Sequence, residues 1–213
     1  TLLDGVDRLH LSGITPALGP VPAESALAAV RAAAARGVAI SFDGNYRAKL
    51  WERWDSDPRT ILTELVSHAD LMFGNHLDIA LLLDRTFSSN AEERRREAAE
   101  AAFAAFPKLQ MIASTARHVE HVDLHRLYAR IDARDRAAQT EEKELAGIVD
   151  RIGGGDAFAA GVLHALRRGE DLETAAHTGL ALTALKHSLP GDASIFRQAD
   201  LDAYLQGGLD VRR

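Results

Sequence analysis

An α/β fold built on a mostly parallel sheet is predicted by three features of the sequence. Short apolar or β-branched runs alternate with Ala- and Leu-rich stretches of helical length. The runs are apolar throughout, as in strands covered on both faces. Repeated strand–helix–strand units of this kind favour a parallel sheet flanked by helices.

Each element follows in order. Arg8 to Leu11 forms a strand that turns at Ser12-Gly13. Pro22 to Arg36 is a helix: proline suits a first turn, alanine fills the interior, and Gly37 ends it. Val38 to Phe42 is a buried strand, Pro58 to His68 a helix, Ala69 to Phe73 a strand and Leu77 to Leu83 a short helix. Ala91 to Phe106 is a further helix and Leu109 to Ala113 a further buried strand. From His121 to Ile131, apolar Val122, Leu124, Leu127 and Ala129 alternate with charged neighbours, which predicts exposed strands at a sheet edge. Gly154 to Arg168, Asp171 to His187 and Gln198 to Leu205 are the last helices.

Composition narrows the function. The 213 residues are 46% apolar, enough for one sizeable core, so a single domain over 1–213 is the expectation. Thirty-one acidic against 25 basic residues leave a net charge of −6, which disfavours nucleic acid as a partner. Arg94, Arg95 and Arg96 are interleaved with Glu92, Glu93, Glu97 and Glu100, a pattern of paired charges on a solvated helix face. The chain has no cysteine, which excludes disulfides and thiolate metal sites and fits a reducing compartment such as the cytoplasm. No apolar run approaches a membrane span.

The strongest chemical signal is Asp150-Arg151-Ile152-Gly153-Gly154-Gly155-Asp156, followed by an apolar helix from Ala157. Three glycines at a helix start leave backbone N–H groups able to converge on an anion, aided by the helix dipole. Asp156 stands where a carboxylate can take a proton from an attacking hydroxyl, the pairing phosphoryl transfer requires. From this pattern alone, a glycine turn with Asp156 as a plain helix cap remains an equal alternative. A P-loop is excluded by the missing Lys-Ser/Thr pair. A dinucleotide fingerprint is excluded because Phe158 falls where its last glycine should be.

A second group, Ser41-Phe42-Asp43-Gly44-Asn45-Tyr46-Arg47-Ala48-Lys49-Leu50-Trp51, follows a buried strand, where ligands bind in parallel α/β sheets. Arg47 offers a planar fork for a carboxylate or phosphate, and Asn45 adds neutral donors. His118, His121 and His125 do not make a metal site by spacing and are expected on half-exposed strand faces. Trp51 and Trp54 are expected to pack rather than to stack on a base.

The stretch D-x-x-G-G-G-D-A-F-x-A-G resembles the second signature of the ribokinase-like (PfkB) carbohydrate kinases, with Gly154 where alanine is usual. Residues 41–51 resemble the S-F-D-P-N-Y-R-x-x-L-W stretch of 2-keto-3-deoxygluconate kinases, with Gly44 in place of proline. Leu185-Lys186-His187-Ser188-Leu189-Pro190-Gly191-Asp192 resembles the ending of the same subgroup. The resemblance runs over about residues 8 to 205. It implies a three-layer α/β/α sandwich and transfer of the γ-phosphoryl group of ATP, with Mg²⁺, to a hydroxyl of a sugar acid, 2-keto-3-deoxygluconate foremost. It also implies an amino-terminal part and a small β-lid that this sequence does not contain.

The same resemblance implies site roles. Asp156 is the base and Gly153, Gly154 and Gly155 form the anion hole. Arg47, Asn45 and Asp192 meet the sugar. Ser114, Arg117, Lys186 and Ser188 lie along the nucleotide. Asn75 and Asp78 stand in the place of an N-x-x-E motif that positions magnesium through water. A homo-oligomer is compatible with this family. The rivals are a fructokinase or other hexose kinase and, in another class, a non-catalytic sugar- or nucleotide-binding protein of this fold.

Overall fold

In the computed structural model, which describes residues 2–88 and 90–207, the chain divides into two compact units. The first comprises residues up to Ala113 together with Asp132–Arg136. Here β1 (Arg8–Ser12) leads through the single-turn α1 (Ile14–Ala17) into α2 (Pro20–Ala34). The helix starts two residues before Pro22 because Pro20 also lacks an amide hydrogen and suits the first turn equally well. Gly37, with φ +69°, lets the chain turn into β2 (Ala39–Asp43).

Next come the single-turn α3 (Ala48–Trp51), α4 (Pro58–Ser67), β3 (Leu71–Phe73), α5 (His76–Leu83), α6 (Ala91–Ala105) and the start of β4 (Met111–His121). The order is β1-β2-β3-β4 and all three pairings are parallel, so the expectation of a mostly parallel sheet holds. Ile40, Phe42, Leu65, Met72, Leu109 and Ile112 are buried in its core. Trp51 and Trp54 stack with centroids 5.9 Å apart, and Trp54 Nε1 donates to the Ala17 carbonyl at 3.2 Å, so both are packing residues.

The second unit holds the outer part of β4, most of β5 (Leu124–Ala133), β6 (Ala137–Gln139), β7 (Lys143–Ala146), α7 (Gly154–Arg167), α8 (Leu172–Lys186) and α9 (Gln198–Leu205). β4 was expected to stop at Ala113 but runs on to His121, and β5 then returns beside it. β7 pairs antiparallel with β5. His118 and His121 are exposed, as expected of strand faces, whereas His125 is fully buried.

Helices α7 and α8 touch through glycine. A Cβ on Gly161 would lie 2.8 Å from Gly179 Cα, and one on Gly179 would lie 2.7 Å from Phe158 and Val162. No larger residue allows this approach. Among the described residues no helix is long and apolar enough to cross a membrane.

Candidate active site

Asp156 lies in the first turn of α7, exposed, and is not the helix cap. The N-cap is Gly153, whose φ of +76° places it in the left-handed region. A Cβ there would also lie 1.9 Å from the Asp192 carbonyl oxygen. Conformation and space therefore both require glycine. The Gly154 amide is drawn to the Arg151 carbonyl at 3.3 Å. Those of Gly153, Gly155 and Asp156 have no protein acceptor among the described residues. The turn thus offers open donors at the positive end of a 14-residue helix, beside a free carboxylate.

Asp150 holds this turn in place. Its Oδ1 accepts from the Ile152 amide and its Oδ2 from the Gly191 amide, each at 2.9 Å. These two amides, Ile152 first, keep its carboxyl below the usual carboxylate range. The segment 185–192 is built to meet it. Lys186 is fully buried and donates Nζ to the Leu189 carbonyl at 3.0 Å. Ser188 Oγ donates to the Leu185 carbonyl at 2.7 Å. Asp192 presents its backbone to Gly153 and leaves its side chain exposed.

Ser114 is half-buried and Arg117 exposed on β4. Burial first, then the charge of Arg151, lowers the Arg117 pKa. His125, with neither ring nitrogen partnered, is held below its usual pKa by burial, then by Arg117, Arg151 and His187, against Asp123. His187 is lowered by burial first, despite its bond to Thr183. The neighbouring guanidinium charges of Arg117 and Arg151 favour an anion nearby.

Of the residues expected to meet the sugar, Asn45 and Arg47 lie in the first unit, where β2 and β3 end, and Asp192 lies in the second. The Gly44 amide donates to the Phe73 carbonyl at 2.8 Å and the Gly74 amide to the Ala113 carbonyl at 3.0 Å. Asn45 is left-handed (φ +38°), and its Nδ2 donates to Ser12 Oγ at 3.4 Å. Arg47, the N-cap residue of α3, is exposed; among the described residues its Nη1 reaches only the Tyr46 carbonyl, at 3.5 Å.

Asn75 and Asp78 form a reciprocal capping box at the start of α5. Asn75 Oδ1 accepts from the Leu77 amide at 2.7 Å and Asp78 Oδ2 from the Asn75 amide at 2.8 Å. The Asp78 carboxylate also packs on Gly44 and Gly74, where added Cβ atoms would lie 3.2 Å from its oxygens. Burial pushes its carboxyl up, while the Asn75 amide and Arg47 pull it down. Both side chains are thus engaged in their own loops, and no cluster of three metal-ligating His, Asp or Glu occurs among the described residues. They do not form a dedicated metal cage among the described residues.

Sequence reading missed the parts played by Asp150, Thr183 and His187. Asp150 carried a signal, as the first letter of the glycine motif. The other two act through backbone carbonyls and leave no pattern.

Residues 134–198, which hold the glycine turn and the segment that meets it, match the pfkB family of carbohydrate kinases. More particularly, the chain is similar to kinases named for 2-keto-3-deoxy sugar acids. It is 28% identical over 208 residues to 2-dehydro-3-deoxygalactonokinase of Haloferax volcanii, covering 97% of this chain and 59% of that protein. The solved 2-dehydro-3-deoxygluconokinase of Thermotoga maritima superposes with a TM-score of 0.87 at 26% identity, over 97% of this chain and 61% of that one. A PfkB family carbohydrate kinase of Listeria grayi gives a TM-score of 0.87 at 29% identity, over 96% and 62%. The chain spans about three fifths of the length of these relatives.

Proposed function

We propose that the complete protein transfers the γ-phosphoryl group of ATP to a hydroxyl of a sugar acid, with 2-keto-3-deoxygluconate as the acceptor. The observation that carries this reading is the Gly153–Asp156 turn, with its unclaimed amides and free carboxylate on one helix start. Asp156 takes the proton of the attacking hydroxyl as its oxygen bonds to phosphorus. The bond from phosphorus to the bridging oxygen breaks, and ADP leaves. Amides of the glycine turn stabilise the charge on the phosphoryl oxygens.

Arg47 holds the substrate carboxylate, with Asn45 and Asp192 as further sugar contacts. Ser114, Arg117 and Ser188 lie along the nucleotide, and Lys186 supports that wall from beneath. Mg²⁺, when bound, would neutralise phosphate charge, and Asn75 and Asp78 would contact it through water. The cysteine-free chain fits a reducing compartment such as the cytoplasm, and a homo-oligomer is compatible with this reading.

The Haloferax relative favours a second acid, the galactonate epimer, as an acceptor worth equal trial. A coupled ADP-release assay of the complete protein on both 2-keto-3-deoxy acids and on fructose tests the reading. The acid should be preferred by ~2–5 kcal/mol in kcat/KM, since without it a guanidinium loses its partner. Arg47→Ala should raise KM for the acid far more than for fructose. Equal or better use of fructose by the wild type would move the protein to the fructokinases.

A further inference from the structure

We propose that His187 is a positioning residue that fixes the aim of the anion-binding turn, an inference that rests on the phosphoryl-transfer reading of that turn. Its imidazole is buried, and its Nδ1 lies 2.7 Å from the Thr183 carbonyl. A carbonyl can only accept, so Nδ1 carries the proton and the ring plane is fixed. That ring lies against the backbone of Gly154: an added Cβ would stand 3.0 Å from Cε1. The same residue holds the approach to the turn, since its carbonyl accepts from the Val149 amide at 2.9 Å and the Asp150 amide at 3.3 Å. Thr183 Oγ1 donates chiefly to the Gly179 carbonyl at 2.9 Å within α8 and lies 3.3 Å from the Gly154 carbonyl as well. The end of α8 thus grips the glycine loop on both sides, at 149–150 and at 154.

What lies between these grips is the chemistry. Gly155 and Asp156 follow Gly154 directly in the first turn of α7, and their amides have no protein acceptor among the described residues. Their aim follows from where Gly154 is held, and the end of α8 that holds it is fixed by the His187 Nδ1 bond to Thr183 and by the His187 carbonyl. A methyl group at 154 must displace an imidazole that Thr183 holds, or move the turn. Simple filling of space would make any side chain of similar volume a substitute for His187. Positioning through the Nδ1 hydrogen bond makes only a donor at that place a substitute.

Four variants of the complete protein separate the two. His187→Asn keeps a nitrogen donor near the Nδ1 position and removes Cε1; His187→Leu keeps the volume and removes the donor. Gly154→Ala is made alone and with His187→Asn. Because sub-ångström misplacement of reacting groups is costly, Gly154→Ala alone should lower kcat about tenfold, and His187→Leu likewise. His187→Asn should stay within about threefold of wild type, and adding Gly154→Ala to it should cost less than about twofold more.

The ¹⁵N–¹H shifts of Gly155 and Asp156 should move in the two impaired variants and stay in place in His187→Asn. Equal loss from Gly154→Ala in both backgrounds, or His187→Leu matching His187→Asn, would overturn the proposal. Should His187→Leu fail to fold, His187→Met, which also keeps volume without a donor, takes its place. If the wild type phosphorylates no sugar, the functional reading has failed. The amide shifts and their non-additivity still decide whether His187 sets the turn.

Discussion

The two units solve a similar problem, the placing of a tight loop at the end of an element, in different ways. In the first unit a side chain closes the loops: the Asp78 carboxylate lies on Gly44 and Gly74, neither of which is left-handed. In the second unit backbone closes the turn: Asp192 presses its carbonyl on Gly153, which is left-handed as well. A carboxylate clasp can be protonated, shortened or replaced, whereas a backbone wall can only be moved. The glycine turn should therefore tolerate substitution far less than the sugar-side loops.

The largest effect is expected at Gly153. Gly153→Ala meets both a left-handed backbone and the Asp192 carbonyl and should lose at least ~2 kcal/mol of stability and most turnover. Chemical denaturation and the ADP assay read both. A variant as stable as wild type would show that the wall at Asp192 yields.

Asp78 comes next. Asp78→Ala removes a buried acceptor from the Asn75 amide and should cost ~1–3 kcal/mol, with KM for the sugar acid rising more than kcat falls. The clasp also predicts a pH dependence. Burial raises the Asp78 carboxyl in the folded protein, so the folded state binds its proton at higher pH than the unfolded chain does. This group's contribution therefore declines as pH rises from the ordinary carboxylate range through the folded value, and is regained as pH falls through that window. Urea unfolding across the acid range should show that slope in wild type and not in Asp78→Asn. An unchanged slope in the variant would assign it to another group.

The smallest effect is a cap. Asp171 Oδ1 accepts from the Thr174 amide at 2.8 Å at the start of α8. Asp171→Ala should lower stability by about 1 kcal/mol and leave KM values alone, because the far end of α8, not its start, meets the glycine turn. A large loss of kcat would break the separation between the helix's two ends.

Much of this was legible in the sequence, for physical reasons that differ by element. β1, β2, α4 and α6 follow from runs and caps, which act locally. Single-turn α1 and α3 are set by packing, as Trp51 shows, and four residues carry too little periodicity to be seen. β4 outran its expected end because its exposed half is held by a neighbouring strand rather than by a buried face. His125 sits among alternating residues yet is fully buried, since burial at an edge depends on what covers it. At the site, Asp156 and Arg47 stood out by motif. Lys186 could not be read as buried beneath its turn, nor Asp78 as a clasp, because both roles are defined by distant backbone.

The central claim is that Asp156 acts as a base beside an anion-binding turn. Asp156→Asn tests it most directly, because the side chain is exposed and bears no structural contact among the described residues. In the complete protein the variant should keep the wild-type melting temperature and bind ATP normally, while kcat on the 2-keto-3-deoxy acid falls by ~10²–10⁴-fold. Turnover equal to wild type, with fold and ATP binding intact, would contradict the account.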